Sequence, residues 1–191
     1  MPIHNQIWQN ILRGDRAAYE QLYYEYFKKF YNYGKKFTTD IALIEDSIQD
    51  VFIEIWNKKE KMVEIESPNS YFFSAFRFIL LERIQNAKRS MTTQSTTEDF
   101  EFSRELEIIA GETDEQLQKK LQEALASLTP RQREAIFLRF YEGLSYEDVA
   151  TVLNITVKAT YKIMARCLTS LRDYIGNSPI AAFLLMQLLG N

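Results

Sequence analysis

The stretch from Ser145 to Arg172, SYEDVATVLNITVKATYKIMARCLTSLR, constrains the fold most, because local chemistry alone places a short helix, a tight turn and a longer helix within it. Ser145 is a good N-cap, and Glu147 and Asp148 put carboxylates in the first turn, where they complement the helix dipole. Val149, Ala150 and Leu153 give this helix one apolar side. Asn154 tolerates the left-handed conformation that ends a helix, and Ile155 would plug the corner that follows. Thr156 then caps a second helix with Val157, Met164, Leu168 and Leu171 inside at helical spacing and Ala165 and Cys167 nearby. The pattern is a helix-turn-helix.

The opposite side of the second helix carries Lys158, Lys162 and Arg166 at i, i+4 and i+8, one stripe on a helical surface. Between Asn154 and Arg172 there are four basic residues and no Asp or Glu, in a chain whose formal net charge is -3. A solvated basic face would explain the stripe alone. With two caps and a turn in place, a recognition helix explains more: Lys and Arg neutralise phosphates while Thr156, Lys158 and Lys162 reach base edges in the major groove.

Composition sets the class. Of 191 residues 46% are apolar, only 6 are Gly and 4 Pro, and Val/Ile/Thr alternation is scarce, so the expected fold is all-α: two small helical domains joined by a flexible acidic linker. One Cys and one His leave no disulfide framework and argue against a zinc site or His-based catalysis. Cys167 reads as a small buried hydrophobe, and His4 as exposed near the chain start. No signal-peptide pattern opens the chain and no apolar run approaches the roughly 20 residues of a spanning helix, which predicts a cytoplasmic protein. Charge is uneven: residues 1–90 net +1, residues 91–118 net -7 and residues 119–191 net +3.

Along the chain, Ile3, Ile7, Trp8, Ile11 and Leu12 mark a helix over residues 3–12, broken by Gly14 before Asp15 caps the next. Tyr19, Leu22, Tyr23, Tyr26, Phe27 and Phe30 form an apolar stripe running to about Phe37. Thr39 or Asp40 caps a third helix with Ile44, Ile48, Val51, Phe52, Ile55 and Trp56 inside and Glu45, Asp46, Gln49, Asp50 and Glu54 outside. After a polar loop over residues 57–70, a fourth helix from about Tyr71 to Arg89 carries five aromatic rings within eight positions. Phe72, Phe76, Ile79, Leu80 and Ile84 suffice for its core. Tyr71, Phe73 and Arg77 are then left near the surface, where rings beside cations suit single-stranded DNA, although packing on the second helix or on a partner would also occupy them. Residues 91–113 read as the linker, with a short helix possible from Ser103 to Ala110. Thr113 with Gln116 opens a helix to about Ser127, and Thr129-Pro130-Arg131-Gln132 opens another that buries Ile136, Phe137 and Phe140 and ends at Gly143.

These residues resemble a known family. LTPRQREAIFLRFYEGLSYEDVATVLNITVKATYKIMARCLTSLR is similar to the promoter-binding fourth region of bacterial RNA polymerase sigma factors of the extracytoplasmic-function (ECF) group, and GDRAAYEQLYYEYF, DSIQDVFIEIW and SYFFSAFRF to that group's second region. The resemblance implies four segments: 1–90 for the second region, 91–113 for the linker, 114–177 for the fourth region and 178–191 for an apolar tail outside the family pattern. It implies core RNA polymerase, promoter DNA and an anti-sigma factor as partners, with no cofactor and no catalysis. Asp46, Gln49 and Asp50 match the positions that dock on a coiled coil of the largest polymerase subunit. Glu64, Ser67, Asn69, Tyr71, Phe73 and Arg77 fall in the element that opens the minus-ten DNA and holds a flipped base. Thr156, Lys158, Tyr161, Lys162 and Arg166 match the face that reads the minus-thirty-five duplex, with Arg131 and Arg133 near phosphate.

The chain also departs from the family. Phe78 stands where the family usually has Asn, and Thr160-Tyr161 where Val-Lys is common, so the promoter sequence does not carry over. The tail segment PIAAFLLMQLL would be about 16 Å long as a helix, half a bilayer core, and is expected to pack on its own lobe or on a regulator. Two other readings are a dimeric helix-turn-helix regulator of duplex DNA and a helical adaptor that contacts only proteins. The first usually carries a domain of alternating strands and helices, which the N-terminal half lacks; the unopposed basic stripe argues against the second.

Overall fold

A computed structural model of the chain describes residues 5–62, 65, 67–90, 100–101 and 123–175. Every regular element among them is helical: α1 Asn5–Leu12, α2 Arg16–Gly34, α3 Ile41–Lys58 with a 3-10 turn Lys59–Met62, α4 Pro68–Ser90, α5 Pro130–Ile136 with a π turn Phe137–Tyr141, α6 Tyr146–Val152 and α7 Val157–Ile175. Residues 123–126 are helical as well. Contacts divide the chain into two compact units, Met1–Glu98 with Thr151–Asn154 and Asp99–Ala150 with Ile155–Asn191. His4, Glu64, most of the expected linker, the Thr113 capping box and the apolar tail lie outside the described residues.

In the N-terminal unit the helices start where side chains accept their first N–H groups. The Asp15 carboxylate accepts from Ala17 and Ala18 at 2.9 and 3.3 Å, and Asp40 from Leu43 at 3.1 Å. α2 stops at Gly34, short of Phe37, because the next N–H groups close tight turns: Lys36 donates to the Tyr33 carbonyl at 3.1 Å and Phe37 to Gly34 at 3.0 Å. α3 overruns the expected loop start. Asn57 and Lys58 continue it and a 3-10 turn follows, since no Gly or Pro intervenes before Pro68, which occupies the first position of α4.

The core of this unit is aromatic, and it corrects the reading of α4. Phe73 is 1% exposed, not at the surface. α4 packs on both α2 and α3, so its buried arc is wide enough for adjacent residues to enter together. Phe72 meets the edges of Trp8 and Tyr26 at 5.4 Å, Phe73 packs edge-on to Phe30 at 5.3 Å and Tyr33 at 5.7 Å, and Phe76 stacks on Phe30 at 4.7 Å. Trp56, Ile79 and Ile84, expected inside, are half-buried at the rim.

In the C-terminal unit the expected capping box is present: the Gln132 N–H donates to Thr129 Oγ1 at 3.3 Å and the Thr129 N–H to Gln132 Oε1 at 2.8 Å. The helix it opens does not run uninterrupted to Gly143. It widens into the π turn, closed by Glu142 N–H donating to the Phe137 carbonyl at 3.1 Å and Leu144 N–H to Leu138 at 3.0 Å. The wider turn shifts the helical phase, so Phe137 and Leu138 are both fully buried and Phe140 is only half-buried. Phe100 from the linker segment is also buried, edge-on to Phe137 at 5.7 Å.

Gly34 is a point of close approach in the N-terminal core. A Cβ there would lie 2.8 Å from Ile44 Cγ2 and 3.2 Å from Phe76 Cζ. Gly34→Ala should gain roughly 1 kcal/mol of helix propensity, but the clash with a stiff β-branched side chain costs about 2–3 kcal/mol. The expected net loss of about 1–2 kcal/mol would appear as a lower urea midpoint at unchanged m value; a raised midpoint would show that the core yields.

Candidate nucleic-acid and docking surfaces

The two helices of the helix-turn-helix are fixed by reciprocal local bonds. Asp148 N–H donates to Ser145 Oγ at 3.0 Å, and Ser145 N–H to Asp148 Oδ2 at 3.4 Å. Asn154 adopts φ 50°, and the turn closes with Ile155 N–H donating to the Ala150 carbonyl at 2.9 Å and Asn154 N–H to Thr151 at 3.1 Å, the hydrogen-bond pair of a Schellman motif. Thr156 Oγ1 accepts from Ala159 N–H at 3.2 Å and starts α7.

Thr160, Met164, Cys167 and Leu171 form the buried line of α7 at i, i+4, i+7 and i+11. Thr160 was not legible as a core residue; its hydroxyl donates to the Thr156 carbonyl at 3.4 Å, which satisfies it inside the helix. Val157, expected inside, is 37% exposed, because it occupies the first helical position ahead of Thr160, the first buried residue of the helix. The outer face presents Lys158, Tyr161, Lys162 and Arg166, all exposed, with exposed Thr156 at its start. Arg131 is exposed on α5. Arg133 is half-buried, and its Nε is enclosed without a hydrogen-bond partner. Tyr161 is not a lone side chain: its ring stacks on Tyr146 at 4.3 Å with planes 12° apart, and the Arg139 guanidinium lies 4.9 Å from the Tyr146 ring centre.

On the N-terminal unit, Asp46, Gln49 and Asp50 share the outer face of α3. Arg83 of α4 pairs with Asp50 and lies 3.7 Å from Asp46, yet the Asp46 and Asp50 side chains remain 60% and 45% exposed. Ile53, one turn on from Gln49, is 57% exposed and adds an apolar group to this face that sequence patterning did not single out. The minus-ten candidates divide. Ser67 serves the start of α4, its Oγ accepting from Ser70 N–H at 3.4 Å. Asn69 Oδ1 accepts the Tyr26 hydroxyl, which ties that amide to the core. Tyr71 is half-buried, and its hydroxyl pKa is raised by burial and then by the Glu54 carboxylate, against a smaller opposing effect of Lys58. Arg77 is half-buried and already engaged within the chain. Phe78, missed in the sequence, is 68% exposed, seven residues and so two turns from Tyr71 on the same side of α4. That spacing was the available signal.

Among the described residues no cluster of three or more His, Cys, Asp or Glu side chains could hold a metal, and no helix is long and apolar enough to cross a membrane.

Comparison with known proteins covers most of the chain. Residues 118–171 match the family described as Sigma-70, region 4. The chain is 27% identical over 160 residues to the ECF RNA polymerase sigma factor SigL of Mycobacterium tuberculosis, covering 81% of this chain and 88% of that protein. It is 26% identical over 168 residues to the RNA polymerase sigma-H factor of Pseudomonas aeruginosa, covering 80% and 83%. Among solved structures, CnrH in complex with the cytosolic domain of CnrY superposes with TM-score 0.57 at 20% identity, over 90% of this chain and 97% of that one. The sigma factor RpoE in complex with the anti-sigma factor NepR from Bartonella quintana gives TM-score 0.56 at 19% identity, over 83% and 97%.

Burial pushes the Cys167 thiol, on the inner line of α7, up to about 12 from 9.0. The folded chain therefore keeps this proton between those values while the unfolded chain releases it. The stability contributed by the neutral thiol is full below pH 9 and is lost as pH rises toward 12. Urea denaturation should show stability falling more steeply between pH 8 and about 10.5 in the native sequence than in Cys167→Ala. Equal slopes would place the thiol in contact with water.

Proposed function

Because the chain belongs to the extracytoplasmic-function sigma factors of bacterial RNA polymerase, we propose that its two helical units divide the work of starting transcription. The chain is a sigma factor that directs transcription initiation, a family of DNA-binding regulators. In this reading it performs no chemistry of its own. Residues 1–90 engage the polymerase and the minus-ten strand, and residues 114–177 read the minus-thirty-five duplex.

The observation that carries the assignment is the outer face of α7. Lys158, Lys162 and Arg166 stand exposed on a helix whose opposite side is buried, with no carboxylate between Asn154 and Arg172 to neutralise them. Cations so placed bind phosphates on either side of a groove and release counterions. Asp46, Gln49, Asp50 and Ile53 support a docking face of opposite sign, suited to a basic helical partner with an apolar centre. On α4 the accessible rings are Tyr71 and Phe78; Tyr71 keeps the stacking role expected of it, and Phe78 takes the place of the buried Phe73. One neighbour in the fold is bound to an anti-sigma factor, which supports a regulator of that kind for this chain.

Reconstitution with core RNA polymerase tests the two faces separately. Lys162→Ala and Arg166→Ala should each weaken promoter binding and reduce the salt slope by about one, with polymerase capture unchanged. Asp46→Arg, which keeps Asp50 itself and reverses the charge of the more exposed carboxylate beside Arg83, should abolish capture while duplex affinity is retained. Capture of core enzyme by Asp46→Arg at full strength would remove α3 from the docking role.

A further inference from the structure

Arg139, Tyr146 and Tyr161 come from three successive elements, the π turn, the first residue of α6 and the second turn of α7, and they form one column. The Arg139 guanidinium is fixed from behind, its Nη1 donating to the Leu144 carbonyl at 2.8 Å. It lies 4.9 Å from the centre of the half-buried Tyr146 ring, and Tyr146 stacks on Tyr161 at 4.3 Å. Tyr161 remains 52% exposed, between Lys158 and Lys162 on the cationic face of α7.

This arrangement does something that an isolated surface tyrosine cannot. An exposed aromatic side chain on a helix samples several rotamers, and ordering one of them on binding costs affinity. The stack orders Tyr161 in advance. Its ring is attracted to Tyr146, and Tyr146 is attracted to a cation that a backbone carbonyl keeps in place. The uncovered part of Tyr161 then has fixed direction: a hydroxyl that can donate or accept, and a ring surface able to contact the C5-methyl of thymine. Lys158 and Lys162 on either side supply phosphate attraction and can reach guanine, and between them Tyr161 adds discrimination of another kind, through a hydroxyl and a ring whose direction is already set. The π turn takes part because it is the segment from which Arg139 reaches Tyr146.

We propose that Tyr161 is the specificity-determining side chain of the recognition helix, and that Tyr146 and Arg139 are positioning residues that hold it in its base-reading orientation. The proposal rests on the assignment of α7 to duplex DNA. The test uses the full chain bound to core polymerase, selecting from duplexes randomised upstream of the start site, at two salt concentrations. Tyr161→Ala should flatten the preference at one or two adjacent base pairs. Tyr146→Leu should flatten the same base pairs by about 2- to 12-fold, the equivalent of releasing one ordered side chain. Preferences elsewhere and the salt slope should stay as in the native sequence. Tyr146→Phe, which keeps the ring, should retain the preference, and the double variant Tyr146→Leu/Tyr161→Ala should lose no more than Tyr161→Ala. If Tyr146→Leu does not fold, Arg139→Lys, which keeps the charge and loses the planar group, must flatten the same positions. A folded variant of either kind that leaves the preference intact, or that lowers binding equally at every position, overturns the proposal. A native holoenzyme that shows no upstream preference at all sinks the DNA assignment beneath it as well.

Discussion

Each helix end leaves backbone groups without intrahelical partners, and a short helix has proportionally more of them. In this chain the donors are met where they arise: by Asp15, Asp40, Thr129, Ser145 and Thr156 at the starts of five helices. The consequence reaches beyond the ends. Once Ser145 and Thr156 fix where α6 and α7 begin, and Asn154 turns the chain between them, the rotation of α7 about its axis is set. The line from Thr160 to Leu171 must then face inward and the lysines outward. A surface defined by helical phase is only as well defined as the residue from which the phase is counted.

That dependence explains what could be read in advance. The caps are local, their side chains lie within three residues of the groups they serve, and Asp15, Thr129, Ser145, Asn154 and Thr156 behave as their chemistry predicts. The charged faces were legible for the same reason, since Lys158, Lys162 and Arg166 need only a helix to become a stripe. The failures involve neighbours distant in sequence. Phe73 and Phe78 are alike as residues; which of them is buried depends on α2 and α3 both packing on α4, and no local pattern contains that. The π turn escaped because Phe137 to Tyr141 carries no residue type that demands one. It shows itself only when Phe137 and Leu138 both enter the core.

The aromatic core of the N-terminal unit has a related logic. Phe30 contacts Phe73 edge-on and Phe76 face-on, and the two geometries together let one ring serve two neighbours on the same helix. Such a core admits little adjustment, which is why Gly34 has no side chain where α2 crosses Ile44 and Phe76. The outward rings Tyr71 and Phe78 are mounted on the same α4. The surface proposed to grip a nucleic-acid strand is thereby carried on a helix held by both α2 and α3.

Asp50 on the proposed docking face is not vacant, because Arg83 of the same chain already occupies one of its oxygens. An incoming cation that takes Asp50 must therefore evict a resident one, and the encounter becomes an exchange of one arginine or lysine for another. Exchanges of this kind liberate fewer dissolved ions than a fresh pairing, so association through this carboxylate should depend on ionic strength less steeply than its charge suggests. The displaced guanidinium would have Asp46 as its remaining neighbour of opposite charge, so the eviction shifts a resident cation along the helix face and need not release it to solvent.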